Sequence, residues 1–487
     1  MKFSTAIVES HPSFAHFFYP FTFDPNKFEK RVEIINNHKF PQRSFHTWEP
    51  KKFPTDDLLF HVCNYLQLET DRPLTACFWT LNDALRDRFG LRMNWQLTCP
   101  LGEIPFYFGE KAGTGSQVLQ LALFNVGVGF AIVRAQPLAI GLYQWLNFLH
   151  YFRFTQGQRK TSIHTQKKIW HPATKKHTLT DFIPEDIQLE AGDRLQFKHL
   201  LTTWLNLGSL ENETQWWENI FIPGQMLIYN GIYVKGIADP EIPQLLYRLQ
   251  NFFNKKQGDH PALTDLQADR QPWLSYADKI WSVFTLEGGS FVAIDAPEND
   301  FFRHTLPDHL NNQYFLLFLL ALHQRFALMS LSTQVADSWM TNDERMRLQK
   351  FAEIRDRLLL FTARGYFTQV MQREHHHRCY RKLQEVFQLD ILYREVNDEV
   401  RELHEYAQIR QNQRLELTIQ VVGVAVGAGG IAASSMSGYI QEPVTLKLTG
   451  HIHPGVLAVT LSLAIAAIAG LLTWLFMTCF SGFKRKS

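Results

Sequence analysis

Two long apolar stretches near the C-terminal end constrain this chain more than any other feature. They cover residues 417–440 and 454–480, and each is longer than the ~20 apolar residues that a helix needs to cross the ~30 Å core of a bilayer. The loop between them, residues 441–453, is too short to form a domain. We therefore predict a two-helix hairpin in the lipid bilayer, within a C-terminal region of residues 414–487.

Flanking charges predict the orientation of this hairpin. Arg410 and Arg414 precede the first stretch, and residues 484–486 (Lys-Arg-Lys) follow the second, whereas the loop offers Lys447 alone. Because an excess of Lys and Arg marks the cytoplasmic side, we expect both termini in the cytoplasm and the chain in the inner, or cell, membrane as a multi-pass protein. Residues 1–20 are too polar for a signal peptide.

Composition and motifs exclude several classes of function. The chain has 487 residues and a net charge of +2, with no basic patch, so we expect no nucleic-acid partner. Its five cysteines show no paired spacing, as is typical of a reducing compartment. Residues 109–116 contain glycines but lack the GK[ST] ending of a phosphate loop, and no nucleophile elbow or HExxH motif is present. We therefore predict no enzyme, and no catalytic residue.

Residues 1–310 combine strand and helix patterns and predict an α/β cytosolic domain. Residues 118–133 predict a β-hairpin turning at the glycines around 127–129, and residues 141–153 have helical spacing. Residues 220–235 and 281–295 predict two further strand pairs, the second turning at Gly288 and Gly289.

Residues 311–413 predict a long helical stalk. Residues 314–331 are apolar enough to span a membrane, but His323, Gln324 and Arg325 near their middle favour a helix buried inside the protein. A second helix is expected from 343 to about 380. A third is expected from Leu383, without proline or glycine before Gly423, as one helix of ~50 residues and ~80 Å that enters the bilayer.

The first apolar stretch carries a stripe of small and polar residues. At 100° per residue, one face collects Gly423, Gly427, Gly430, Ser434, Ser437 and Gln441, with Glu416 and Asn412 extending it toward the cytoplasm. The opposite face carries Val421, Ala425, Ala428, Ala432 and Tyr439. The stripe fits either close helix packing, since Gly423 and Gly427 form a GxxxG step, or the lining of a pore. Its continuation into Glu416 and Asn412 favours the pore.

Two further segments bear on these alternatives. The second apolar stretch is apolar all round with few polar interruptions, Thr460, Ser462 and Thr473 among them, which is typical of a helix that faces lipid outside a ring. His375 and Cys379 share a helix face and could ligate zinc, but four ligands are needed and no second cluster is visible. A polar turn of a long helix is the favoured interpretation there, and metal and cofactor-binding residues stay unknown.

The order of these parts resembles the CorA family of magnesium channels: an α/β cytosolic domain, long helices, a stalk helix that becomes the first span, a second span and a basic tail. The resemblance covers residues 311–487 best. It implies a homo-oligomer, a pentamer in the family, with Mg²⁺ or another divalent cation as the transported or regulatory ion. The family's Gly-Met-Asn signature is absent, because residues 435–439 are Ser-Met-Ser-Gly-Tyr.

Two functions follow from this resemblance. One is a CorA-like oligomeric channel or transporter for divalent cations, gated by its cytosolic domain. The alternative is a membrane effector of antiviral defence, of the CorA-like kind found beside type III CRISPR systems, gated by a nucleotide messenger. Both allow a small-molecule or nucleotide ligand in the cytosolic domain. A receptor without a pore is the third option.

Overall fold

The computed structural model describes most of the chain. The described ranges are residues 3, 5–39, 45–66, 74–86, 91–92, 94–109, 118–156, 160–165, 170–171, 176–177, 196–206, 215–258, 261–267, 272–341, 343–439, 444–446, 450–452 and 454–483. The chain divides into two compact units: unit 1 contains Met1–Met340 and Glu353–Asn397, and unit 2 contains Thr341–Ala352 and Asp398–Ser487. The predicted stalk, 311–413, therefore contributes residues to both units.

The secondary structure comprises a mixed sheet followed by long helices. The strands are β1 (Ile7–Val8), β2 (Phe14–Thr22), β3 (Trp48–Pro50), β4 (Ala76–Leu81), β5 (Asn94–Cys99), β6 (Gly102–Phe108), β7 (Leu119–Phe124), β8 (Val128–Pro137), β9 (Ser162–Thr165), β10 (Trp170–His171), β11 (Lys176–His177), β12 (Glu218–Asn219), β13 (Leu227–Lys235), β14 (Trp273–Ala277), β15 (Ile280–Thr285), β16 (Gly288–Ile294), β17 (Val444–Leu446) and β18 (Gly450–Ile452). The helices are α1 (Phe28–Asn37), α2 (Phe60–Leu66), α3 (Leu142–Phe152), α4 (Phe197–Asn206), α5 (Ile242–Gln250), α6 (Leu306–His309), α7 (Phe315–Trp339), α8 (Glu344–Arg364), α9 (Glu374–Val386), α10 (Leu389–Tyr439) and α11 (Pro454–Phe483).

Unit 1 is built on a 14-stranded sheet with the central order β14-β15-β16-β13-β2-β8-β6-β5-β9. Neighbouring strands pair antiparallel except β13 and β16, which run parallel. The predicted hairpins are present as β7–β8 and β15–β16, and the predicted helix is α3. The prediction of a strand pair at 220–235 is wrong, because this segment forms the single strand β13, which pairs with distant strands.

Helices cover both faces of the centre of the sheet. Successive side chains of a strand point to opposite faces. In β2, the ring centroid of Phe17 lies 4.6 Å from that of Phe152 in α3, while that of Phe18 lies 5.2 Å from that of Phe318 in α7. Because both faces are covered, β2 is a continuous buried run rather than an alternating one.

Helix α7 is the buried helix that the sequence predicts. Although it is long and apolar enough to cross a membrane, 89% of its apolar window is buried inside the protein. The polar residues in its middle have partners there: His323 Nε2 lies 3.0 Å from Tyr65 Oη, and Gln324 Oε1 accepts a 2.8 Å hydrogen bond from Tyr380. Hydrogen bonds to Tyr65 and Tyr380 offset part of the cost of burying these polar groups.

The helices that follow α7 differ from the prediction at two points. A single helix from 343 to about 380 is wrong, because α8 ends at Arg364 and Gly365 follows, a residue with low helix propensity. The start of the long helix near Leu383 is also wrong, because α9 ends at Val386 and Gln388 has a φ of 55°. From Leu389 onward the helix is continuous for 51 residues, as the absence of proline predicts.

Candidate functional site

The second half of α10 and the described part of α11 carry exposed apolar surface. The apolar window that lies within residues 389–435 is long enough to cross a membrane and is 0% buried, in contrast to that of α7. Ile419, Val426 and Ile431 are 69%, 68% and 69% exposed. In α11, Ile468, Leu471 and Leu472 are 59–60% exposed. Exposed apolar surface of this extent is typical of contact with a membrane or with another protein.

Helices α10 and α11 contact each other through small residues. A Cβ built at Gly429 would lie 3.0 Å from Ala466 Cβ, and one built at Gly470 would lie 3.3 Å from Ala425 Cβ. The pairing of 425 with 470 and of 429 with 466 makes the two helices antiparallel. Ser462, one turn before Ala466, is 7% exposed. Small residues at four-residue spacing let two helix backbones approach closely.

This contact explains which side of α10 is partly covered. Val421, Ala425, Ala428 and Ala432, the face opposite the predicted stripe, are all partly buried. Ala425 is therefore a contact residue of the helix pair, and a bulky side chain there would collide with α11.

The described part of the predicted stripe faces away from α11. Gly423 and Gly427 are each two residues from Ala425, so they point about 160° away from it around the helix. Cβ atoms built at Gly423, Gly427 and Gly430 would meet no described atom within 4 Å. Ser434 is exposed on the same face, and its hydroxyl donates to the Ile431 carbonyl at 2.9 Å. The stripe is thus not the surface that joins the two helices of one chain.

The N-terminal extension of the stripe is also exposed. Asn412 and Glu416 lie on α10 in line with the glycines, and Glu416 Oε1 accepts a 3.3 Å hydrogen bond from Gln420. The backbone of Ser437 is helical, although its side chain is not described. Gln441 lies outside the described residues.

Two arginines beside the stripe are held by a carboxylate. Glu344, at the start of α8, lies 3.7 Å from Arg410 Nε and 3.3 Å from Arg414 Nη2. Arg414 lies two residues before Glu416, so at 100° per residue it points about 160° away from that residue around α10. Arg410 lies six residues before Glu416 and points about 120° away from it, so both arginines lie on sides of α10 other than the one that carries Glu416.

The zinc hypothesis for α9 gains no support from the geometry. His376 is buried with its ring centroid 4.8 Å from that of Tyr314, and the ring of His375 lies near Tyr276. Burial raises the pKa of the Cys379 thiol, which disfavours the thiolate that binds zinc. Within the described ranges, no three His, Cys, Asp or Glu side chains are grouped to hold a metal.

The residues that join α10 to α11 are contact positions that the sequence interpretation missed. The signal was present in the second stretch, where Ser462, Ala466 and Gly470 recur every four residues. Apolar composition around the whole helix obscured that spacing, because alanine and leucine count equally as apolar while differing in the helix approach that they allow.

Comparisons with known proteins add little to this geometry. No protein-family model matches the chain, and no curated protein matches it. Two solved chains match, among them the CorA magnesium transporter from Methanocaldococcus jannaschii. That match has 15% identity and a TM-score of 0.16, and it covers 52% of this chain and 91% of the transporter chain. The low TM-score leaves this likeness without weight for fold or function.

Proposed function

We propose that the chain is an integral membrane protein of the CorA-like kind, whose α10 and α11 cross the bilayer as a hairpin. Copies of the chain form a ring that conducts divalent cations such as Mg²⁺, under the control of the sheet-containing unit. The conduction path is lined by the exposed stripe of α10: Asn412, Glu416, Gly423, Gly427, Gly430 and Ser434, with Ser437 and Gln441 continuing it.

The membrane part of this proposal is supported by the exposed apolar side chains of α10 and α11. Moving a side chain such as Ile419 or Leu471 from water into an apolar environment stabilises it by about 1.5–3 kcal/mol. Lipid around the helix pair supplies that environment. The helix pair also satisfies its backbone hydrogen bonds internally, as a membrane-spanning segment must.

The single observation that carries the pore is the position of the glycine stripe. Within the part of the chain that the structure describes, the packing of α10 against α11 does not account for this face of small residues, because it is turned away from α11. It also offers lipid little apolar side-chain surface to contact. In a ring, such a face leaves width for a path, and its hydroxyl groups and backbone carbonyls can meet water and ions.

Charge along the same face supports cations as the conducted species. Glu405 lies eleven residues before Glu416, so both carboxylates point to nearly the same side of α10. Glu344 holds Arg410 and Arg414 on another side. Repeated in every copy of a ring, Glu416 would form a ring of carboxylates, which favours cations.

The test is a glycine substitution that narrows the path without touching α11. In liposomes loaded with a Mg²⁺ indicator, we expect Gly427→Leu to reduce flux by at least roughly tenfold, because a Leu side chain fills the stripe. Val424→Leu adds bulk on a different side of α10 and is the matched control, with flux near wild type. Size-exclusion profiles of both variants report whether the oligomer persists.

The two interpretations of the stripe give different results in this experiment. A Gly427→Leu protein that elutes as an intact oligomer without flux supports the pore. If instead that variant disperses into smaller species, the stripe joins copies of the chain and does not line a path. Full flux through an intact Gly427→Leu oligomer would rule out a pore at this face.

A further inference from the structure

Unit 1 contains a cavity of about 500 Å³ that none of the preceding observations uses. Its walls come from the end of α3, the end of α5 with the loop that follows, the turn between β15 and β16, and Val386 at the end of α9. Sites for small molecules have volumes of ~300–1,000 Å³ and combine apolar walls with a few placed polar groups. This cavity has both the size and the mixed lining of such a site.

The charged groups of the cavity offset each other. Arg153, which is 5% exposed, donates through Nη1 to Glu287, and Gln225 donates to the other oxygen of Glu287 at 3.2 Å. A guanidinium and a carboxylate side by side carry no net charge together, so they do not attract a polyanion. They do offer one group of each sign to a molecule that carries both.

Fixed amides and aromatic rings complete the lining. Gln250 accepts a 3.2 Å hydrogen bond from the Trp273 indole, and Gln257 accepts one of 3.3 Å from the Asn254 backbone. Both amides are thus oriented through their oxygen atoms, and their NH₂ groups can donate to a guest. Phe253 and Phe284 add flat apolar surface. These groups suit a polar organic molecule with hydrogen-bond acceptors and a flat portion.

One wall of the cavity is connected to the start of α10. The β15–β16 turn is held by Arg325, whose Nη1 donates to the Leu286 carbonyl at 2.6 Å. The Arg325 guanidinium also lies 5.4 Å from the ring centroid of Phe387, the residue after Val386. Burial lowers the pKa of Arg325 to about 10, so it remains charged at neutral pH. Gln388, next in the chain, has a φ of 55° and separates α9 from α10.

We infer that this cavity is a regulatory site for a small, uncharged or zwitterionic polar organic molecule, and that occupancy stabilises the α9–α10 junction at residues 386–392. The regulatory part of this inference rests on the proposed function. The binding part and the effect on the junction do not. Occupancy adds contacts to Val386 and to the turn that Arg325 connects to Phe387, so the junction opens less often.

The test places a covalent occupant in the cavity of the full-length protein in detergent. Gln257→Cys introduces a thiol into the lining, and Asn251→Cys provides a second lining position. Lys256→Cys is the matched control, because Lys256 is adjacent in sequence but exposed and outside the lining. Each protein is treated with N-ethylmaleimide, and wild type treated in the same way reports the native cysteines.

Hydrogen exchange measured by mass spectrometry is the first readout. We expect labelling of the Gln257→Cys or Asn251→Cys protein to slow exchange of residues 386–392 at least roughly threefold, because the junction then opens less often. Labelling of the Lys256→Cys protein should leave that exchange unchanged. Equal exchange in all labelled proteins overturns the inference, as does failure of both lining thiols to react in the folded protein.

The ligand class is tested with two thiol reagents of different charge. For each reagent, the measured quantity is the reaction rate of the Gln257→Cys thiol divided by that of the Lys256→Cys thiol. We expect this ratio to be larger for neutral methyl methanethiosulfonate than for the anionic sulfonatoethyl reagent. A cavity whose charges offset each other gives an anion no advantage. A larger ratio for the anionic reagent would overturn the proposal that the ligand is uncharged or zwitterionic.

Flux into liposomes is the second readout and separates this inference from the proposed function. If the unlabelled protein conducts, labelling the Gln257→Cys protein should change the Mg²⁺ flux at least roughly threefold, since the junction leads into the helix proposed to line the path. Labelling the Lys256→Cys protein should not. Unchanged flux would overturn regulation through this cavity. If the unlabelled protein does not conduct, the proposed function fails, while hydrogen exchange still decides whether occupancy reaches the junction.

Discussion

His323 is a buried histidine whose environment stabilises only its neutral form. It lies in α7 with its ring centroid 3.9 Å from that of Phe124, and its Nε2 is 3.0 Å from the Tyr65 hydroxyl. Burial lowers the pKa of His323 to about 3. The unfolded chain takes up a proton at this residue below its ordinary pKa of 6.5, whereas the folded chain does not. Stability from this residue is therefore present above pH 6.5 and is lost as the pH falls toward 3.

Replacing His323 by glutamine should flatten the acid side of the stability profile. The introduced amide keeps an acceptor for Tyr65 but has no proton to gain. Below about pH 6, the free energy of unfolding of the variant should therefore fall less steeply with pH than that of wild type, and the two slopes should differ by up to ~1.4 kcal/mol per pH unit. Burial also lowers the pKa of His16 and of His376, so some decline remains. The measurement is the thermal midpoint in detergent from about pH 7 to about pH 4, the range in which the unfolded histidine takes up its proton.

The control for this variant is His61→Gln, which changes an exposed histidine. It should follow the wild-type profile. An unchanged slope in His323→Gln would mean that another group accounts for the acid sensitivity.

At the scale of elements, the contact between α10 and α11 depends on Gly470. A Cβ at this position would lie 3.3 Å from Ala425 Cβ, and a longer side chain would force the helices apart. We expect Gly470→Leu to lower the thermal midpoint by several degrees and to disperse the oligomer, since cores that receive excess volume lose about 1–3 kcal/mol. Thermal unfolding and size-exclusion chromatography in detergent measure both effects.

Ala464→Leu is the matched control for Gly470→Leu. Ala464 lies on the same helix but is exposed. Its substitution should leave both the midpoint and the elution volume near those of wild type. Equal damage in the two variants would show that α11 tolerates no added bulk anywhere, and would remove the evidence for a specific contact.

The sequence predicts elements well where a local pattern decides them. The β7–β8 hairpin, α3 and the β15–β16 hairpin follow from apolar runs and glycines within a few residues. The break at Gln388 has no such signal, because nearby Phe387 is buried against Phe318 of α7, which is distant in sequence. Tertiary packing, not local propensity, ends α9 there.

The two candidate sites, the stripe of α10 and the cavity in unit 1, also differ in how far a local sequence pattern predicts them. The stripe of α10 is visible in the sequence, because 3.6-residue periodicity alone assembles it. Which surroundings the stripe faces depends on where α11 packs against α10, and sequence periodicity does not show that contact. The cavity in unit 1 has no sequence signal, since Arg153, Gln257, Glu287 and Val386 come from four distant segments.

The continuity of α10 predicts mechanical coupling along it. An unbroken helix transmits a tilt or rotation, whereas a flexible linker absorbs it. Inserting Gly-Gly-Ser after Gln408 interrupts the helix between Tyr406 and Arg410, where Arg410 Nε donates to the Tyr406 hydroxyl at 3.2 Å. We expect the oligomer to assemble and conduct, while cavity labelling through Gln257→Cys no longer changes the flux.

An insertion that keeps the helix is the control for this coupling. Ala-Ala-Ala after Gln408 adds the same number of residues with high helix propensity. It should preserve more of the response to cavity labelling than Gly-Gly-Ser does. A full response in the Gly-Gly-Ser protein would exclude α10 as the coupling element.

At the scale of the whole molecule, one copy of the chain cannot enclose a path. In the described residues, α10 provides one stripe of small and polar side chains. If α10 spans the bilayer as proposed, Glu416 on that stripe cannot face lipid without a large cost. Closed cyclic symmetry brings the stripes of several copies together around one axis and turns the apolar side chains outward. Five copies is the number that the sequence resemblance to the CorA family implies.

We therefore predict a homo-oligomeric ring, a pentamer, when the protein is extracted in mild detergent. Native mass spectrometry should give one dominant species at five times the subunit mass, because each copy contributes the same surface and the ring closes. Val424→Leu should keep this species, and Gly470→Leu should lose it, since the second variant separates the two helices within each copy. A stable wild-type monomer would contradict the ring, because the stripe and Glu416 would then have no shared interior to face.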